Sequence, residues 1–204
     1  MCVRVVASRI PPLYGGLMST SPSSRRRADV TSAELVGGVE KRTLVVVDPE
    51  PTWPTTYLLH EARIRSAFGP VAASIEHIGS TSVPGLAAKP IIDILVVVDD
   101  ITAEEDYLAP LLATGYLLRV RGPGHRMVRT PDLDVHVHVL ETGDPAAEDY
   151  LLLRDHLRQD DDDRALYAQT KRRLVAQDWP DMNAYADAKT DVITQIKQRA
   201  REAR

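Results

Sequence analysis

Two short segments of the chain carry residue types that could do chemistry together. The first runs Glu76-His77-Ile78-Gly79-Ser80-Thr81-Ser82-Val83-Pro84-Gly85, continues to Lys89-Pro90, and ends on Ile91-Ile92-Asp93-Ile94. A strand that stops at glycine lets backbone approach a ligand, and consecutive amides after it can cradle an anion. Ser80, Thr81 and Ser82 add hydroxyl donors for phosphate oxygens, and Lys89 adds positive charge. Asp93 falls on an apolar strand, where a carboxylate needs a partner such as a cation. The competing reading of the hydroxyl run is an ordinary polar turn, and that of Lys89 a surface lysine before a proline.

The second segment is Asp134-Val135-His136-Val137-His138-Val139-Leu140. Alternation with period two puts the valines on one face of a strand and Asp134, His136 and His138 on the other. Two imidazoles beside a carboxylate can hold a metal softer than magnesium. The alternative is a pair of histidines hydrogen-bonding in a polar cleft. His77 either joins them or bonds the Gly-Ser loop. Arg119, Arg121, His125, Arg126 and Arg129 lie between the two segments, read either as anion ligands or as a solvated edge strand. Tyr167 with Lys171, and Tyr185 with Lys189, are four apart and share helix faces.

These groups must be positioned by a scaffold. A strand is expected at Thr43–Val47, a helix from Pro54 to Phe68 ended by Gly69-Pro70, and a short strand from Ala73 to Ile78. Ile91 to Val98 reads as a strand covered on both faces. Thr102 with Glu105 matches a capping box opening a helix through Leu112. Strands follow near Tyr116–Val120, Arg126–Arg129 and Val135–Leu140. Asp144 caps a helix containing Leu151 to Leu153. The acidic run Asp160–Asp163 opens a second helix to about Gln177, and a third starts at Asp181. The fold class expected is α/β (α+β), a mixed sheet with flanking helices followed by a helical bundle. The parts are a disordered extension over 1–40, an α/β core over 41–143 and a helical segment over 144–204 packed on the core.

Bulk properties narrow the function classes. The 204 residues are 44% hydrophobic and 26% charged, enough for a core without staples. The single cysteine, Cys2, excludes an intramolecular disulfide and a four-cysteine zinc site. A net charge of −4 argues against tight nucleic-acid binding, and the one dense basic run, Arg25-Arg26-Arg27, reads as a solvated tail. No run approaches the ~20 apolar residues of a membrane span. A cytoplasmic protein is expected, monomeric or weakly dimeric, without membrane or sequence-specific nucleic-acid partners. Met18 is an alternative start to Met1.

The run from His77 to Ile94 closely resembles the signature of the GrpB family (UPF0157), in which His-Ile-Gly-Ser-Thr-Ser/Ala-Val-Pro-Gly-Leu precedes Ala-Lys-Pro-x-Ile-Asp-Ile. The resemblance extends from about residue 40 to 200. It takes in Trp53, Gly115-Tyr116, Gly124-His125-Arg126, His136-Val137-His138, Arg154-Asp155, and Tyr185 with Lys189. That family is similar to nucleotidyltransferases of the polymerase-β type. The resemblance implies a nucleoside triphosphate as substrate, an unknown acceptor, and a divalent metal, Mg2+ or Mn2+ first and Zn2+ or Fe2+ as alternatives. Asp93 corresponds to the second acid of the Asp-x-Asp pair. Ile91 occupies the place of the first, and histidines that of the third. By resemblance, Arg154, Lys171 and Lys189 clamp phosphate. The residues themselves offer Gly79, Ser80, Thr81, Ser82, Lys89 and Arg126 for phosphate, Asp93, His136, His138 and His77 for metal, and His138 or Glu76 as base. A non-catalytic accessory protein that binds a nucleotide or phosphate, and a His/Asp metal-dependent hydrolase or ligase, are the rival readings.

Overall fold

The computed structural model describes residues 27–69 and 74–203. Cys2, Met18, Arg25 and Arg26 lie outside them. In chain order the elements are β1 (Glu34–Leu35), α1 (Trp53–Phe68), β2 (Ser74–Ile78), β3 (Ile92–Val98), α2 (Glu104–Ala113), β4 (Leu117–Gly122), β5 (His125–Arg129) and β6 (Val135–Glu141). Then come α3 (Pro145–Gln159), α4 (Asp161–Val175), α5 (Met182–Asp187) and α6 (Thr190–Glu202). The six strands form one sheet in the order β1-β4-β5-β6-β3-β2. Only β3 and β6 run parallel, and every other pairing is antiparallel.

The register follows from the alternation. Ile94, Val96, Val135, Val137 and Val139 turn to one face and pack with Ile64, Phe68, Tyr107 and Leu111 of α1 and α2. A one-residue slip of β6 would bury two imidazoles in place of three valines, each worth ~1.5–3 kcal/mol on burial. The opposite face carries Leu95 and Leu140 against Ala147 of α3. It leaves Asp93, His136 and His138 beside them. The helical half seals its own contact through Leu86, Leu157, Tyr167 and Ile196.

Helix ends read from the sequence are largely as expected. Asp144 accepts from Ala146 N–H at 2.8 Å and Asp160 from Asp163 N–H at 2.8 Å, so both cap. The acidic side chains that follow Asp160 meet the positive end of α4.

Four expectations need correction. The β-branched run Thr43–Val47 makes no strand; Val47 alone bridges Ala88, exchanging both backbone hydrogen bonds at 2.9 and 3.0 Å. In that register the next bonded pairs set Val45 against Pro90 and Pro49 against Leu86. Proline has no N–H to donate, so the ladder stops on both sides. The capping box at Thr102 does not form: α2 begins after Ala103, and the Thr102 hydroxyl donates to Asp100 at 2.6 Å. The third C-terminal helix is two, parted at Ala188–Lys189. Residues 27–40, expected in a disordered extension, lie on the sheet. β1 pairs with β4, and Asp29 and Glu40 make ion pairs with Arg126 and Arg129. No helix among the described residues is long and apolar enough to cross a membrane.

Candidate functional site

Asp93, His136 and His138 converge. His136 faces Asp93 directly across the β3–β6 pairing. Its Nδ1 lies 3.4 Å from Asp93 Oδ1, and His138 Nε2 lies 3.6 Å from the same oxygen. The three ligand atoms fall within 4.8 Å of one another. Burial pushes the Asp93 carboxyl up, but hydrogen bonds from His136 and His138 outweigh it and hold the group below the ordinary carboxylate range. Asp93 is therefore an anion at neutral pH, an acceptor for two imidazole protons or for one cation.

Gly79 seals the group from the loop side. Its φ of 70° with ψ of −173° is backbone that essentially only glycine adopts. A Cβ built there would overlap the Asp93 carboxylate. Ser80 lines the same cavity. The next two hydroxyls do not. Thr81 is buried and donates to Ile91 O at 3.0 Å; Ser82 is buried and donates to Gly79 O at 2.6 Å. Their chemistry is to fix the loop rather than to meet a ligand.

The cavity, about 550 Å³, is lined by seven basic side chains and two acids, Glu40 and Asp93. Lys89 and Lys189 set their ammonium groups over the Tyr185 ring, 4.1 and 4.7 Å from its centroid. Lys171 sits 4.7 Å from the Tyr167 centroid and donates to Ala87 O. The Tyr167/Lys171 pair thus meets on α4 as its spacing of four predicts, whereas Lys189 lies in the turn after α5, off the expected helix face, and still reaches the Tyr185 ring. Burial, then neighbouring Lys189, lowers the Lys89 ammonium to about 8. The same causes, joined by Arg172, lower Lys171 to about 7. On the sheet side, Arg129 lies directly across from His136 and grips Glu40 through both its amino groups, at 2.6 and 3.0 Å. Arg42 and Arg119 complete this cluster. Arg154 also reaches the cavity, anchored to Glu76 at 2.8 Å and to Asp155 at 2.7 Å. A chain of net charge −4 has concentrated positive charge in one cavity, which attracts an anion.

Besides Thr81 and Ser82, three sequence-derived site residues do not line the cavity. Arg126 pairs with Val139 in register, so it takes the valine face. It is 2% exposed and bound to Asp29 at 2.6 Å and Glu104 at 2.7 Å. His77 likewise takes the far face, stacked 4.7 Å from Tyr57 and bonded to Thr81 Oγ1 at 3.1 Å. Burial lowers its imidazole to about 4, so it is neutral and supports the Gly-Ser loop. Glu76 shares the site face but is spent on Arg154 and does not line the cavity. Sequence reasoning missed Arg42, Glu40 and Arg119 as one cluster with Arg129. Parity along β5 could have flagged Arg129, which stands three residues from Arg126 and so on the opposite face.

A second group with metal-type donors, His156, Asp160 and Asp163, lies where α3 meets α4. His156 Nε2 lies 2.7 Å from Asp163, and Arg199 already neutralises that carboxylate. It is an ion-paired helix junction.

Comparison with known proteins places this arrangement. The model of the GrpB protein family matches residues 43–199. The chain belongs to the GrpB family. A GrpB relative, a UPF0157 protein of Streptomyces coelicolor, is 60% identical over 91% of this chain and 99% of its own length. A UPF0157 protein of Halalkalibacterium halodurans is 41% identical over 94% of this chain and 98% of its own. The crystal structure of conserved protein GrpB from Enterococcus faecalis superposes with a TM-score of 0.69 at 28% identity, over 76% of this chain and 96% of that one. The matched range takes in the Gly79 loop, Lys89 and the Asp93 strand that line the cavity.

Proposed function

We propose that this chain binds a nucleoside triphosphate together with one divalent cation and transfers the nucleotidyl group to an acceptor. The observation that carries the reading is the juxtaposition of the Asp93–His136–His138 group with the basic cavity beside Gly79 and Ser80. One carboxylate and two imidazoles suit a single cation that accepts nitrogen ligands, so Mn2+, Fe2+ or Zn2+ fits better than Mg2+. Two magnesium ions do not fit. They require several carboxylate oxygens, and Glu40, the cavity's other acid, is held by arginines.

When bound, the cation supplies Lewis-acid charge to a phosphoryl oxygen. The chain's own residues do the rest. Lys89, Lys171 and Lys189 neutralise phosphate oxygens, while Ser80 lines the same cavity. Gly79 lets the loop backbone close against the Asp93 carboxylate, which holds that group at the cavity wall.

A second reading, nucleotide binding without turnover, is favoured by two observations. Glu76, one of the two candidate bases, is ion-paired outside the cavity, and Asp93 is occupied with both imidazoles. A thermal-shift series with nucleoside triphosphates and Mn2+, run on the wild type and Asp93→Asn, tests both readings, since a ligand of the native state raises the midpoint. Pyrophosphate release then separates transfer from binding. No shift with any nucleotide overturns both.

A further inference from the structure

We propose that His125 is a positioning residue for the cation group: its Nε2 accepts the Nδ1 proton of His138, which leaves the His138 Nε2 lone pair free for a divalent cation. This rests on the reading that Asp93, His136 and His138 hold such a cation.

The geometry is specific. His125 opens β5, faces the site side of the sheet, and lies two positions along from the residue opposite His138. Its Nε2 is 3.2 Å from His138 Nδ1, and the two rings are parallel within 5° at 5.4 Å between centroids. His138 thus has one nitrogen on Asp93 and the other on His125.

A neutral imidazole has one proton and one lone pair. With the proton on Nε2, His138 donates to Asp93 and has nothing for a cation. With the proton on Nδ1, Nε2 becomes the ligand atom, and Nδ1–H needs an acceptor. His125 Nε2 stands at that place, where such sites more often use a carboxylate or carbonyl. A cation on Nε2 therefore selects the tautomer in which the one proton of His138 sits on Nδ1 instead of Nε2. His125 in turn carries its own proton on Nδ1.

The support is rigid. Gly124 N–H donates to Asp29 at 2.6 Å, and Arg126 on the other side is bound to Asp29 and Glu104. The hairpin residues flanking His125 are pinned from the far face of the sheet. The extended family motif Gly124-His125-Arg126 thereby gains a division of labour: Arg126 anchors and His125 orients.

The test uses the full chain, Zn2+ and Co2+ as probes, and two variants. His125→Phe keeps the stacked ring and removes the acceptor; His125→Gln restores an acceptor carbonyl without a ring. Calorimetric titration should show wild-type binding, about 10–100-fold weaker binding in His125→Phe, and recovery of most of the affinity in His125→Gln. Long-range 1H–15N spectra of the zinc-loaded wild type should place the His138 proton on Nδ1. Tight zinc binding by His125→Phe, or a His138 proton on Nε2 in the loaded protein, overturns the proposal and leaves the cation site standing. Absence of Zn2+ and Co2+ binding in the wild type overturns the cation site itself.

Discussion

Gly79 and Asp93 are built against each other: the loop residue has its φ at 70°, and a side chain there would occupy the space of the Asp93 carboxylate. The glycine fixes the rim of the cavity and the aspartate its floor. Gly79→Ala should therefore do two things. Strain at that backbone conformation should cost ~1–3 kcal/mol in urea denaturation. Displacement of Asp93 should also weaken cation binding at a protein concentration where the variant is still folded. A variant that loses stability but binds cations as wild type would separate the loop from the site.

The two arginines of β5 should behave differently. Arg126→Ala leaves Asp29 and Glu104 without their buried partner, so it should destabilise by ~3 kcal/mol. Its pyrophosphate affinity should stay near that of wild type. Arg129→Ala should weaken pyrophosphate binding, because Arg129 stands in the cavity across from His136. The measurement is a pair of pyrophosphate titrations beside two denaturation curves. The reverse pattern would place the anion on the other face of the sheet.

That distinction shows where the sequence was legible. Val135 to Leu140 alternates so cleanly that the histidine face follows from it, and β3, β6 and the Tyr167/Lys171 pair lie where the pattern puts them. The assignment of Arg126 to the ligand came from its place in a family-like motif. Parity with Val139, visible only once β5 is paired with β6, puts it on the core side. His77 drops out of the metal group for the same reason, since it is out of phase with Asp93 on the neighbouring strand, and its other reading, a bond to the Gly-Ser loop, is the one found. The cluster of Glu40 with Arg42, Arg119 and Arg129 brings together residues 89 positions apart, for which no local pattern exists. Thr43–Val47 had the composition of a strand and lost it to two prolines.

Glu40 supplies a pH prediction. Hydrogen bonds from Arg129 first, and from Arg42, overcome the opposing effect of burial and bring its carboxyl from 4.5 to about 2. A carboxyl lowered on folding contributes stability that is fully present above about 4.5 and lost as pH falls towards 2. The loss should be on the order of 2 kcal/mol after solvent screening. Denaturation at pH 6, 4 and 2.5 should show this acid limb in wild type and a reduced one in Glu40→Gln. Superimposable acid limbs would mean that Glu40 does not hold residues 36–42 to the sheet.

Lys171 should trade stability for binding. Its ammonium is lowered to about 7 by burial, and among the described residues no carboxylate pairs with it. Between pH 7 and 10.5 the unfolded chain holds this proton and the folded chain has released it, so stability should rise with pH across that window. Lys171→Met should flatten that slope and be neutral or stabilising at pH 7. It should also weaken pyrophosphate binding about ten-fold, the loss of one charge-assisted contact. A strongly destabilised Lys171→Met with unchanged affinity would assign the lysine to packing alone.

The central claim is a single divalent cation held by Asp93, His136 and His138, and equilibrium dialysis against Mn2+ and Zn2+ tests it most directly. The account predicts one cation bound per chain in the wild type, and binding weakened by two orders of magnitude or more in Asp93→Asn and in His136→Ala with the fold retained. Binding that is absent in the wild type, or unchanged in both variants, would contradict it.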